Sequence, residues 1–307
     1  MAEISVGEAV GEGFGLIRRK PLAVLAWGFL QIGLVALAIT LMAPMYAAIV
    51  GQALRQATPS GLARQDLPWV MQAQSMIYLF DIASFAVSAV ISCAVFRAVL
   101  YPEQGRFAYL RLGACELYLA FLILAGSFVL GIGVAVAMIP ILIVIFSLAA
   151  FHAGAAAAVV GVVAGVAAFA GLIYLLLRVS LVGPMMVDAG KFRLIEACAL
   201  TKGKVAGLLA IALVLVLIIM AAELVHGLVL LAVGFGVVAV LAGGLHNLPM
   251  LFQQSPQIIL GRLAPLLVVM GLIWIPLAGC ISAIMSAPWA RAYRDLRPPR
   301  DIAETFV

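Results

Sequence analysis

Asp81, Glu223 and His226 are the residues whose type and surroundings point to chemistry. Asp81 stands in SMIYLFDIASFAVSAV and Glu223 in VLIIMAAELVHGLVLL, stretches that hold no other charged side chain. A carboxylate inside such a stretch is costly unless it is paired, protonated or hydrated. Acids held that way serve proton- or cation-linked transport. His226 follows Glu223 by three residues, so on a helix the two face the same way. The competing reading is structural: each acid serves an outer turn, with Arg55, Arg64 or His226 as counter-charge.

Arg97, Arg178, Arg193, Arg291 and Arg294 form a second set, at or beside the ends of apolar stretches. A cation there attracts anionic lipid headgroups, worth about 1 kcal/mol each near the surface. The same arginines also simply orient the chain in a membrane. Arg178 has Asp188 and Glu196 as possible partners. Trp27, Tyr46, Trp69, Tyr78, Tyr101, Tyr109, Trp274 and Trp289 suit the interfacial belts of a membrane protein.

Other motifs carry no chemistry of their own. Thr201-Lys202-Gly203-Lys204 lacks the glycine run and preceding strand of a phosphate loop, and GEGFG at 11–15 lacks the setting of a dinucleotide site. The histidines at 152, 226 and 246 are scattered, and no serine sits in a nucleophile elbow. The four cysteines, at 93, 115, 198 and 280, have no metal-type spacing and read as packed thiols. No cofactor and no nucleic-acid partner is expected.

The elements that position these residues are membrane spans. Of the 307 residues 66% are hydrophobic and 10% charged, against about 25% charged in soluble domains. The apolar runs are continuous rather than alternating, which favours helices over a barrel. The fold class is all-α and polytopic, with six spans at about 22–48, 72–97, 117–147, 155–178, 205–226 and 263–287. Residues 3–20 read as an amphipathic helix opened by Ser5 and Glu8 in a capping box. Its Glu3, Glu8 and Glu12 precede any apolar core, unlike a secretory signal. Gly126, Gly131, Gly133 and Pro140 predict tilt or a kink in the third span. Residues 150–154 read as a tight turn. The small residues of the fourth span, with Gly161 and Gly165 in GxxxG spacing, predict close packing near the centre of the bundle. Pro184 ends or kinks that span, and residues 191–200 read as an amphipathic helix. The run 206–241 would measure about 54 Å as one helix, so it is expected to leave the membrane near Glu223–Gly227. Residues 228–243 then form a half-span or surface helix.

Charge sets the topology. Arg18, Arg19 and Lys20, then Arg97, Arg106 and Arg111, then Arg178, Lys191, Arg193, Lys202 and Lys204, then Arg291, Arg294, Arg297 and Arg300 fall on one side of a six-span arrangement. Arg55, Arg64 and Arg262 fall on the other. Fifteen against three places both termini in the cytoplasm of a bacterial inner membrane. Two full spans within 206–241 would instead move the last arginines outside. Each third of the chain also repeats a plan. The lead-ins GFGLIRRKPLAVL, YLRLGACELYLAF and CALTKGKVAGLLA pair with the exits CAVFRAVLYP, YLLLRVSLVGP and SAPWARAYRDL. Three repeated helical hairpins satisfy this plan; so does any six-span chain with basic inner loops.

Arg178, Ser180, Leu181, Pro184, Leu200, Thr201, Lys202 and Gly203, within RVSLVGPMMVDAGKFRLIEACALTKGKVAGL, carry a family resemblance. The segment resembles one in a diffuse bacterial group. That group includes the membrane domain attached to some glycerophosphoryl diester phosphodiesterases and the YciC-like uncharacterised membrane proteins. RAVLYPEQGRFAYLRLG at 97–113 is similar to a segment of alphaproteobacterial members. The resemblance covers about half the chain and implies a six-helix membrane domain. The 307 residues leave no room for a catalytic barrel, so phosphodiesterase activity is not carried over.

Three functions follow as expectations. The first is a non-enzymatic membrane protein binding lipid, with anionic headgroups favoured, or a membrane partner, a second copy included. The second is a proton- or cation-linked transporter or small channel built on Asp81, Glu223 and His226, with helix breaks at Pro140 and Pro276. The third is an enzyme that modifies lipids.

Overall fold

The computed structural model describes residues 4–55, 67–150, 154–241 and 256–297. Arg64, Asp66, His152, His246 and Arg300 lie outside them, as does most of the 150–154 turn, and nothing is described of the side chains of Tyr46, Arg55, Trp69 and Arg262. The described chain is helical, with no strand among the described residues. Among the described residues nine α-helices follow one another: α1 (Val6–Arg19), α2 (Pro21–Arg55), α3 (Leu67–Leu100), α4 (Ala114–Ala150), α5 (Gly154–Val179), α6 (Val182–Ala189), α7 (Leu194–Leu200), α8 (Val205–Leu241) and α9 (Pro256–Leu296). Six of them, α2 to α5, α8 and α9, are long and apolar enough to cross a membrane. The chain is an all-α polytopic membrane protein.

The short helices form where the sequence places caps. Ser5 Oγ accepts the Glu8 N–H at 3.5 Å, one half of a capping box. Pro21 starts α2 without needing an N–H partner. Pro184 lies in the first turn of α6, and Gly190, at φ 65°, closes that helix by donating to Met186 O. α7 begins at Leu194 rather than Lys191. The chain passes unbroken through Pro140 in α4 and through Pro276 and Pro288 in α9.

The helix ends that carry the basic residues are drawn together, and the buried core lies there. One cluster packs Trp27, Val95, Phe96 and Tyr109 with Ala283, Ala287 and Ala290 of α9. The other packs Leu177, Leu181, Val182 and Met186 with Leu208, Ile211 and Tyr293. Water is at hand at such an end, so the hydrophobic effect drives burial. Deeper in the hydrocarbon it has no force, and small residues and hydrogen bonds take over. α9 is the axis, packed most extensively on α2 and α1. At Gly28 and Gly279 the backbones of α2 and α9 come so close that a Cβ on either would overlap a carbonyl oxygen of the other helix, Ile275 O or Val24 O. A Cβ on Gly13 of α1 would come to 2.9 Å from Ile284 Cα. Ser282 Oγ donates to Gln31 Oε1 at 3.0 Å across the same α2–α9 contact.

Three expectations are corrected. The run 206–241 is one unbroken helix, α8, with no break at Glu223–Gly227 and no separate helix within 228–241, residues 242 and 243 lying outside the described residues. Gly227 alone does not stop a helix whose backbone bonds have no other partner in an apolar medium. α5 is peripheral rather than central. Gly161 takes in the Ile145 side chain of α4, Gly165 meets nothing within 4 Å, and Val159, Val162, Val163, Val166 and Phe169 are exposed. Close helix approach needs small residues on both partners, and α4 offers Ile and Leu. The three hairpins are also unequal: α2–α3 and α4–α5 pack as pairs, whereas α9 lies on α1 and α2 more than on α8.

Candidate functional site

The basic end is built from internal ion pairs. Arg291 of α9 reaches Glu8 Oε2 at 2.6 Å and Asp295 Oδ1 at 3.1 Å, with Glu12 Oε2 at 3.7 Å. Arg294 also lies 3.7 Å from Glu12, which pairs with Arg19. The glutamates at i and i+4 on α1 thus meet a run of cations on the last turns of α9. Arg97 pairs with Glu116, whose side chain is only 4% exposed. Glu116 Oε2 also accepts the Gly113 N–H at 3.0 Å, capping α4. Its Oε1 faces the guanidinium as a charge contact rather than as an aligned hydrogen bond. Asp188 of α6 accepts from Tyr101 Oη and, at 2.8 Å, from Tyr293 Oη, with Arg297 Nη1 at 3.4 Å. One carboxylate so ties α3, α6 and the end of α9.

Between α3 and α4 the chain turns left-handed. Phe107, Ala108 and Tyr109 have φ of 53°, 55° and 63°. Each non-glycine residue in that region costs on the order of 1 kcal/mol or more, and persists only where surroundings over-determine it. They do so here. Trp27 Nε1 donates to Ala108 O at 2.9 Å, Tyr109 Oη to Pro102 O at 2.8 Å, and Arg97 Nη1 to Tyr109 O at 3.4 Å. Tyr109 is buried by this, and Phe107 is turned outward, 76% exposed, beneath the Arg106 guanidinium at 5.3 Å.

Within the segment Arg178–Gly203, α7 packs against α5 and α6. Thr201 is fully buried, and its hydroxyl lies 3.0 Å from Cys198 O and 3.3 Å from Arg178 O, tying α7 to the end of α5. Ser180 Oγ donates to Leu177 O at 2.8 Å. Leu181 and Pro184 are buried, Leu200 is partly buried, and Gly203 takes φ 78° just before α8. Lys202 is exposed. Arg178 itself lies over the Tyr174 ring at 5.9 Å, and Arg193 pairs with Glu196 at 3.0 Å.

Within α8, His226 Nδ1 lies 3.3 Å from Glu223 Oε2. The imidazole meets Trp274 of α9 edge to face, ring centroids 4.5 Å apart. His226 Nε2 and Trp274 Nε1 are buried without a hydrogen-bond partner among the described residues. Asp81 is exposed on α3, and among the described residues no hydrogen bond or ion pair links it to this group. The structure therefore joins two of the three candidate acid–base residues and adds Trp274. Among the described residues no group of His, Cys, Asp and Glu could hold a metal ion.

Comparison of this chain with family models, with curated proteins and with solved structures finds no match.

Of the two partners expected for Arg178, Asp188 binds Tyr101, Tyr293 and Arg297, and Glu196 binds Arg193. Glu8, Glu12, Glu116 and Trp27 help hold the basic end together, and sequence reasoning did not single them out for that. Only the i,i+4 spacing of Glu8 and Glu12 was a signal. Their partners stand far away in the chain.

Proposed function

We propose that this chain is a non-enzymatic multi-pass protein of the bacterial inner membrane that binds anionic lipid or a membrane partner. Its basic end and both termini face the cytoplasm in this reading. What supports it is the division of charge at that end. Arg97, Arg291 and Arg294 are held by the chain's own acids. Arg18, Arg106, Arg111, Lys191 and Lys202 are exposed and carry no ion pair among the described residues. Cations left outside the internal pairs, at the ends of apolar helices, attract anionic headgroups. Native mass spectrometry of protein extracted gently from its own membrane tests the reading. A stoichiometric retained lipid or a fixed oligomer is the expected spectrum. A bare monomer carrying nothing sinks the proposal.

A second reading, proton- or cation-linked transport, rests on Glu223, His226 and the two unpartnered ring nitrogens. An imidazole beside a carboxylate is a pair that can pass a proton. In proteoliposomes it expects Glu223→Gln to cut proton flux at least tenfold with folded protein retained. Wild-type vesicles no leakier than empty ones would end this reading, and loss of folded protein in the variant would make Glu223 structural.

A further inference from the structure

We infer that the segments on either side of α6 form a built seat for the headgroup layer of an anionic leaflet. This rests on the lipid-binding reading and names where that lipid sits. The first segment is the turn from Arg106 to Leu112. It exposes Arg106, Phe107, Arg111 and Leu112, the last 89% exposed. The second runs from Lys191 to Ile195. It exposes Lys191, Phe192, Arg193 and Ile195, the last 85% exposed. In both, cations alternate with large apolar side chains. That is the chemistry of the interface: the apolar group enters the acyl boundary while the cation stays at the phosphates.

The two segments belong to one surface. Cys115 Sγ, at the start of α4, lies 3.7 Å from Met186 O of α6, and Tyr101 at the end of α3 binds Asp188 of α6. α6 therefore stands between them, with its own apolar residues buried. The first segment is also held in a strained form. Three successive non-glycine residues at positive φ are clamped from behind by Trp27, Arg97 and Tyr109, and what the clamp displays is an apolar ring flanked by arginine. A solvated loop needs no such clamp. The seat differs from the arginine set read from sequence: Arg97, Arg291 and Arg294 are engaged by internal acids away from it, and Arg193, whose pair with Glu196 is itself at the surface, alone belongs to both.

The test titrates full-length, delipidated protein with phosphatidylglycerol and with phosphatidylcholine and reads the affinity ratio by native mass spectrometry. The variant carrying R106Q, R111Q, K191Q and R193Q is expected to lose the preference for phosphatidylglycerol at least tenfold. Replacing Phe107, Leu112, Phe192 and Ile195 by serine is expected to weaken both lipids at least threefold and leave the ratio unchanged. The control K20Q, at the same end but partly buried, is expected to shift the ratio less than twofold. Millimolar inorganic phosphate is expected not to displace the lipid. All of these side chains are at the surface or partly so, and circular dichroism checks that each variant keeps its helix content. If the four-cation variant fails to fold, R106Q with R111Q and K191Q with R193Q are tested as separate pairs, each expected to lower the ratio at least threefold. An unchanged ratio in the cation variants overturns the inference, as does a control that lowers the ratio as much, displacement by phosphate, or an unchanged ratio with loss of a bound acidic protein. Wild-type protein that retains lipid with no preference overturns the seat alone. Wild-type protein that retains no lipid and no partner overturns the underlying reading as well.

Discussion

Gly279→Ala is expected to destabilise the protein by about 3 kcal/mol, the upper end of what overpacking costs, with Gly28→Ala doing the same. A methyl at either position would overlap the backbone of the facing helix, and backbone cannot swing aside as a side-chain tip can. The contact lies on α9, which also carries α1, so parting α2 from α9 loosens the Trp27 core and the Ser282–Gln31 bond together. Gly271→Ala, on the same helix with nothing within 4 Å of its added Cβ, is the matched control. It is expected to change stability by less than about 1 kcal/mol, in the stabilising direction that helix propensity gives alanine. Thermal unfolding in one detergent, followed by circular dichroism, separates the two. Equal behaviour of Gly279→Ala and Gly271→Ala would show that α2 and α9 do not approach as described.

Glu116→Leu is expected to cost about 3–5 kcal/mol, because it strands the Arg97 charge in a buried place. Arg97 is 12% exposed, and the carboxylate that neutralises it also caps the start of α4. Arg97→Met strands Glu116 in the same way, with the further loss of the bond to Tyr109 O that holds the left-handed turn. The double variant removes both charges, and most of the loss is expected to return, leaving a deficit on the order of 1 kcal/mol for the missing cap and turn contact. A double-mutant cycle by chemical or thermal unfolding measures this coupling. Additive losses would mean the pair is solvated and contributes little.

Much of the architecture was legible from local rules. Hydrocarbon thickness makes a long apolar run a helix wherever it stands, so the six spans could be read from composition and length. The helix at Ser5–Glu8 and the change of element at Pro184 were equally local, one a cap and the other a missing N–H. The lone charge at Glu223 and its spacing to His226 led to a contact that the structure has, because i,i+3 neighbours on a helix meet whatever surrounds them.

The remainder was decided by residues far apart in the chain. GxxxG spacing on α5 pointed to the centre of the bundle. Among the described residues the close approaches are instead on α9, Gly28 against Gly279 and Gly13 against Ala283 and Ile284, where small residues let the backbones meet. Asp81 and Glu223 looked alike in sequence, yet Glu223 gained His226 and Trp274 while Asp81 remained exposed on α3. The arginines looked equivalent as headgroup ligands, until the fold brought Glu8 and Glu12 to α9 and Glu116 to Arg97. By itself the sequence determined which segments are helices and which end of each is basic, since backbone hydrogen bonding in an apolar medium and charge in water are properties of single segments. Which cations are neutralised and which stay outside, which glycines touch, and where the strained turn shows its ring were decided by tertiary structure alone, because each depends on a partner that only packing brings within reach.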